Sequence, residues 1–354
     1  MLAMALKELR QLGRDRRTVA MMIVLPVVLL VIFGYAARFD VTSVSTIVAG
    51  PNAEGVARTL PDRFNVIATH ADWNRDQAED ALRRGQATVG WVTSNGRPTV
   101  VLVDGSNLFG AQSALRVLAA SSGTVRPEIL FNPNLETSYV MVPALMGMIL
   151  VFIGTVATSL GVVRERQTGT LEQLAVMPFR ARDIFLGKIL PYFGVAIVDL
   201  VIVVIAGLLI FRVPFNGSVP VFALGAILFL FVALGMGVLI STVSQNQGQA
   251  IQLAIMTLLP QILLSGMIFP LDSVAIGVRW IGYLLPLTYF VQIARGVMLR
   301  AAPLDSLLLP MAMLAVLGVI VSGLSVLRFN RDLAPAGGRA PGGRAARRRS
   351  EAAA

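Results

Sequence analysis

The sequence predicts an all-α polytopic membrane protein with six transmembrane helices and an inserted extracellular α/β domain. Three observations carry that reading. Of the 354 residues, 55% are hydrophobic and only 14% charged, and the mean hydropathy is +0.73, too apolar for a soluble domain of this length. Six apolar runs are long enough to cross a bilayer. Between the first two lies a stretch of different character, residues 38 to 137, with 9 Arg against 10 Asp and Glu and no run that could span.

At the start, Leu2, Ala5, Leu6, Leu9 and Leu12 fall on one helical face, with Lys7, Glu8, Arg10 and Gln11 on the others. Residues 1 to 17 therefore read as an amphipathic helix lying in the membrane interface. Arg14, Arg16 and Arg17 precede a 20-residue apolar run, Thr18 to Ala37, which reads as the first span. A cleaved signal peptide is the competing reading, with Gly34-Tyr35-Ala36 as its cleavage site. The run is longer than the apolar core usual for such leaders, which favours a span.

Within residues 38 to 137, alternating apolar segments at Val44 to Ala49, Phe64 to Thr69, Ala87 to Thr93 and Thr99 to Val103 predict strands. Asn95-Gly96 between the last two is a hairpin signal. Ala53 to Leu60, Asp72 to Arg84 and Leu108 to Ser121 predict helices, with Asp72 as N-cap and Gly85 as stop for the second. No catalytic motif or paired-carboxylate spacing stands in this domain, so it reads as a structural or gating cap rather than an enzyme.

The second span is Tyr139 to Val163, where Gly147, Gly154 and Gly161 recur every seventh residue and predict close approach of a neighbouring helix. Spans three to five are Ile189 to Phe211, Val219 to Val243 and Ala250 to Phe269. Residues 270 to 303 carry Trp280, Tyr283, Tyr289 and Phe290 among prolines and arginines, a composition that suits short extracellular helices at the interface. Leu308 to Leu327 is span six, with Gly318 and Ser322 as a small-residue pair. The tail from Arg328 is rich in Gly, Ala, Pro and Arg and is expected to be disordered, with anionic lipid as a further contact.

Basic residues set the orientation. Five Lys and Arg precede the first span, five lie between residues 164 and 188, and seven follow span six. Six spans bring these clusters to one side, which the positive-inside rule makes the cytoplasm, so both termini are cytoplasmic and the α/β domain lies outside. A plasma membrane, in bacteria the inner membrane, is the expected location.

The segment Arg164 to Pro178 interrupts two very apolar stretches with charge. Thr170 and Gln173 have capping-box spacing, Gly169 loosens the chain before them and Pro178 stops it after. Leu171, Leu174 and Ala175 then form one small apolar face on a two-turn helix, too short to be stable undocked. Glu165 with Gly169-Thr170-Leu171-Glu172-x-Leu174, Pro178 and Gly187-Lys188 resembles the coupling segment of ABC-2 type transporter permeases, and residues 270 to 296 resemble the region before their last span. The large domain after span one matches a multidrug or lipid export-like subgroup. The resemblance implies that Glu165, Gly169, Thr170, Leu171, Glu172, Leu174 and Pro178 couple the membrane part to a nucleotide-binding subunit. It also implies a dimer with a second permease copy or paralogue, two ABC ATPase subunits, and outward movement of an amphipathic, drug-like or lipid-like solute.

Several classes are excluded or disfavoured. A Walker A loop needs Gly-x-x-x-x-Gly-Lys-Ser/Thr, and the only lysines, Lys7 and Lys188, are not in that setting. ATP and Mg are therefore expected on a partner, and no cofactor in this chain. There is no Cys and a single His70, which gives no thiolate site and no His pair for a metal. The net charge of +10 is mostly Arg at span ends, which points to lipid headgroups rather than nucleic acid. An ion-coupled secondary transporter is the alternative, but such proteins need intramembrane ionisable relays, and the spans hold one, Asp199. A membrane-anchored receptor or scaffold displaying the α/β domain is a third reading. Asp199, with Tyr192 on its own span and Thr155, Thr158 and Gln252 on others, forms the candidate translocation pathway.

Overall fold

A computed structural model describes residues 43 to 94, 97 to 120, 125 to 168, 181 to 268, 270, 271, 274 and 276 to 333. The expected interfacial helix and first span, most of the coupling segment and the end of the tail lie outside the described residues.

The α/β domain runs β1 (Val44–Ala49), α1 (Ala53–Ala57), β2 (Phe64–His70), α2 (Arg75–Arg83), β3 (Val89–Ser94), β4 (Arg97–Asp104), α3 (Leu108–Ala120) and β5 (Arg126–Leu130). The sheet order is β2-β1-β3-β4-β5, parallel except where β3 meets β4. Alternation along each strand feeds two cores. Val44, Val48, Val89, Trp91, Val101 and Val103 pack under α1 and α3, whereas Ile47, Ala49, Val92 and Leu102 pack against Ala78, Ala81 and Leu82 of α2.

The expected hairpin is present, with Ser94 opposite Arg97. α2 is capped two residues later than expected, by Asn74 rather than Asp72. The Asn74 side chain accepts from Gln77 N at 3.0 Å and the Gln77 side chain accepts from Asn74 N at 2.9 Å, a reciprocal box that Asp72 is too far back to form. Gly85 does end the helix, at φ +73°. Its N–H reaches Leu82 O at 2.9 Å, while that of Gln86 reaches Ala81 O at 3.0 Å, the pair of bonds that closes a left-handed C-terminal turn. α1 is shorter than expected, stopping at Ala57, and β5 is a strand the periodicity did not signal.

The helical part comprises α4 (Thr137–Gln167), α5 (Ala181–Leu209), α6 (Val219–Val243), α7 (Gln247–Leu264), α8 (Ile276–Gly282), α9 (Pro286–Met298) and α10 (Leu304–Leu333). Four of these, α4, α5, α6 and α10, are long and apolar enough to cross a membrane. α6 coincides with the expected fourth span. α7 departs from the fifth span expected over residues 250 to 269, because it starts at Gln247 and ends at Leu264. The sixth expected span is part of a longer helix, and Arg328 to Leu333, expected to be disordered, continue α10.

α6 and α9 hold the core. Phe229, Leu230 and Leu234 of α6 and Leu287, Phe290 and Ile293 of α9 are fully buried. The Phe229 and Phe290 rings stack at 4.4 Å, an arrangement that contributes roughly 0.5 to 1.5 kcal/mol beyond burial. Every residue of α9 except Gln292 and Arg295 is buried, and the helix packs against α4, α6 and α10. α8, by contrast, leaves Trp280 exposed.

The three glycines of α4 each admit a different neighbour. A methyl group on Gly147 would overlap the Phe290 and Leu287 side chains of α9, and one on Gly161 would overlap the Tyr192 hydroxyl of α5. Gly154 sits against Leu234 and Ala233 of α6. The small-residue pair of α10 behaves as expected, Gly318 lying against Phe231 and Ser322 near Gly235, both on α6. On their other sides α5 and α10 present apolar residues outward, among them Val198, Ile202, Ile205, Val319 and Leu327.

Candidate functional site

The end of α4 and the start of α5 flank residues 169 to 180. The Lys188 ammonium, with a side chain only 8% exposed, donates to the Glu165 carboxylate and forms an ion pair across that segment. The last turn of a helix leaves its carbonyls without intrahelical partners, and at the end of α6 a neighbouring arginine supplies the missing donors. Arg166 Nη1 donates to Ser241 O at 3.1 Å and to Ser244 O at 3.0 Å. Gln247 Nε2 of α7 donates to Gln167 Oε1 at 3.1 Å. Asn246 caps α7 by accepting from Gln249 N at 2.9 Å. The ends of α4, α6 and α7 and the second turn of α5 are thus tied together. Of the expected coupling residues, Glu165 stands in this cluster. Gly169, Thr170, Leu171, Glu172, Leu174 and Pro178 lie outside the described residues.

The candidate pathway residues are spread over three helices. Thr155 is buried and donates to Ala233 O at 3.2 Å, and Thr158 is fully buried with an unpartnered hydroxyl. Both pack on Gly237 of α6. Tyr192 covers Gly161 of α4. Asp199 is half-buried, on the flank of α5 shared with the buried Ala196 and Leu200, and among the described residues it makes no hydrogen bond or ion pair. Gln252 is half-buried on α7. No hydrogen bond joins any two of these five side chains among the described residues.

A second polar site lies where the α/β domain meets the helices, and the sequence reading did not single it out. Arg300 Nη1, at the end of α9, lies 3.4 Å from the buried Asp104 Oδ2 at the end of β4. Arg84 of the α/β domain pairs with Asp305 at the start of α10. Hydrogen bonds to Asp80 first and to Asp305 second hold the Arg84 guanidinium above its ordinary pKa. Arg295 on α9 donates to Val140 O at 3.0 Å, Gly266 O at 3.0 Å and Met267 O at 2.8 Å. Burial, reinforced by the nearby Arg300 charge, pulls its pKa down to about 10, so it stays charged at neutral pH. Both arginines line a half-enclosed cavity of about 180 Å3 between the α/β domain, α4, α9 and the chain after α7. Arginines in the stretch 270 to 303, among its prolines and aromatics, read in sequence as ordinary interfacial anchors, and nothing in their spacing announces Asp104 as a partner.

The architecture has relatives. A family model described as ABC-2 family transporter protein matches residues 16 to 327. The chain belongs to the ABC-2 family of transporter proteins. This ABC-2 permease is 28% identical to the probable multidrug ABC transporter permease YbhS of Escherichia coli over 94% of its own length and 97% of the relative's. It is 28% identical to the probable multidrug ABC transporter permease YbhR of the same organism, covering 84% and 89%. To the inner membrane transport permease YhhJ it is 29% identical, covering 72% and 67%. Membership makes ABC ATPases the general class of partner for the ABC-2 permease, and its apolar helices are those of a membrane-embedded subunit.

Proposed function

We propose that the chain is the membrane subunit of an ATP-driven exporter that moves an amphipathic, drug-like or lipid-like solute outward. It works as a homo- or heterodimer with two separate ATPase subunits, which carry ATP and Mg. The relatives named as multidrug permeases support the solute class. The observation that carries the coupling role is that α4 and α5, the helices on either side of residues 169 to 180 in the chain, are tied to each other by Lys188 with Glu165 and to α6 and α7 by Arg166 with the α6 carbonyls and Gln167 with Gln247. A push on that segment would reach four helices at once. In this reading the first span and α7 bring the total to six, the termini are cytoplasmic, and the α/β domain is an extracellular cap in a plasma or bacterial inner membrane. Purification of the chain from its native membrane tests the reading. An ATPase with a Walker A loop should copurify, and reconstituted vesicles should transport only with ATP. Transport driven by an ion gradient in the absence of such a partner would refute it.

A further inference from the structure

The junction between the α/β domain and the helices holds more positive charge than its own carboxylate balances. Arg295 and Arg300 both line the cavity, and Asp104 approaches Arg300 only through a long 3.4 Å contact. Arg295 directs its donors to three backbone carbonyls, which are neutral. Arg300 Nε is buried and has no acceptor. Nε is closed to the cavity as well as to water, so it is the rest of the side chain that lines the cavity. A buried guanidinium left short of acceptors is costly, and a carboxylate or phosphate oxygen is the acceptor that matches it in both charge and geometry. Met267, Ile268 and Val291 make part of the remaining wall apolar. A volume of about 180 Å3 is many times what a single water needs, enough for an acidic group and the first methylenes of a chain.

We propose that this cavity binds the anionic headgroup of an amphiphile, with Arg300 donating to the acidic group, Arg295 supplying charge behind it, and the first methylenes lying on Met267, Ile268 and Val291. The proposal narrows the solute of the export reading to an anionic one and rests on that reading for its role in transport. The acidic group can belong to a membrane lipid or to an exported single-chain solute, since both present the same chemistry to the arginines.

Native mass spectrometry of the full chain in neutral detergent, titrated with phosphatidylglycerol, dodecanoate, phosphatidylcholine and inorganic phosphate, tests the site. At least one anionic amphiphile should bind at least about tenfold more tightly than phosphatidylcholine and than inorganic phosphate. Preference for phosphatidylglycerol would name a lipid as the source, and preference for dodecanoate a single-chain solute. Arg300→Gln should weaken that binding by about ten- to hundredfold, Arg300→Lys should restore part of it, and Ile268→Trp, which fills the cavity without touching a charge, should abolish it. Should Arg300→Gln fail to fold, Ile268→Trp decides the matter. Equal binding of phosphatidylcholine, equally tight binding of phosphate alone, or undiminished binding in Ile268→Trp overturns the proposal. ATP-dependent export is scored separately in vesicles with the ATPase partner. Binding without export removes the export reading and leaves the site, whereas export without binding removes the site alone.

Discussion

Lys188 and Glu165 meet across the segment that joins α4 to α5, and the two partners differ in exposure: the lysine side chain is 8% exposed and the glutamate 43%. The buried partner is the one that depends on the other. Removing the acid strands an ammonium in an apolar setting, whereas removing the base leaves a carboxylate that water can still reach. Glu165→Ala should therefore lower stability by roughly 1 to 3 kcal/mol and Lys188→Met by less, read as thermal unfolding in detergent. Equal losses in the two variants would contradict the asymmetry.

The coupling role predicts a separation of folding from activity. Burying Leu171 and Leu174 on a partner contributes roughly 1.5 to 3 kcal/mol each. The double variant Leu171→Asp and Leu174→Asp should insert normally yet lose stimulation of its ATPase. ATPase stimulation and transport at wild-type levels would remove these leucines from the interface.

The glycines of α4 make a paired test of packing. Gly147→Ala places a methyl group on the fully buried Phe290 and Leu287 and should cost roughly 1 to 3 kcal/mol through overpacking. In Gly154→Ala the new methyl would meet Leu234 Cδ2 at 3.4 Å, an ordinary contact. That variant should be neutral or gain about 0.5 to 1 kcal/mol from helix propensity. Thermal melts of both in one detergent give the comparison, and the reverse order would refute the assignment of tight and loose seats.

Asp199 separates packing from passage. Asp199→Asn keeps size and hydrogen-bonding capacity while removing charge, and Asp199→Leu removes both. If the residue lies on the solute path, Asn alone should change export rate or solute range at unchanged thermal stability. If it serves packing, Asn should match the wild type and Leu should shift the melting temperature. Wild-type export and melting in both variants would exclude either role.

Where one residue type dominates a local pattern, the fold was legible in the sequence. α6 was found at both ends because Ser218 and the polar link from Ser244 bracket a run free of charge, and β3 and β4 were paired by Asn95-Gly96 between alternating segments. β5 was missed because Arg126, Pro127 and Glu128 suppress the apolar signal, a composition tolerated there because the strand lies at the sheet edge. α10 was cut short because Arg328 ends the apolar run, but apolarity marks only the part of a helix that needs burial, and the backbone hydrogen-bond pattern continues to Leu333. Glu165 was singled out with its motif, while Arg166 next to it was read only as a topological charge. Its partners, Ser241 and Ser244, lie 75 and 78 residues away, a separation to which local pattern is blind. The same holds for Arg300 with Asp104, 196 residues apart.

The three seats on α4 also constrain how the molecule can move. Neighbouring residues on a helix point about 100° apart, so even a small turn of α4 about its axis drives larger side chains into the notches at Gly147, Gly154 and Gly161 together. Two of these notches are filled by buried parts of α9 and α6, Phe290 with Leu287 and Leu234 with Ala233, so a turn of α4 would have to displace both helices with it. The third receives only the tip of Tyr192, and 17% of the residues in the apolar stretch of α5 that carries it are buried, against 56% for α4 and 61% for α6. Yet Gly207 of α5 seats Met146 of α4 and Lys188 pairs with Glu165, so a displacement of α5, the helix that follows the coupling segment, would be handed to α4 and through its filled notches to α6 and α9.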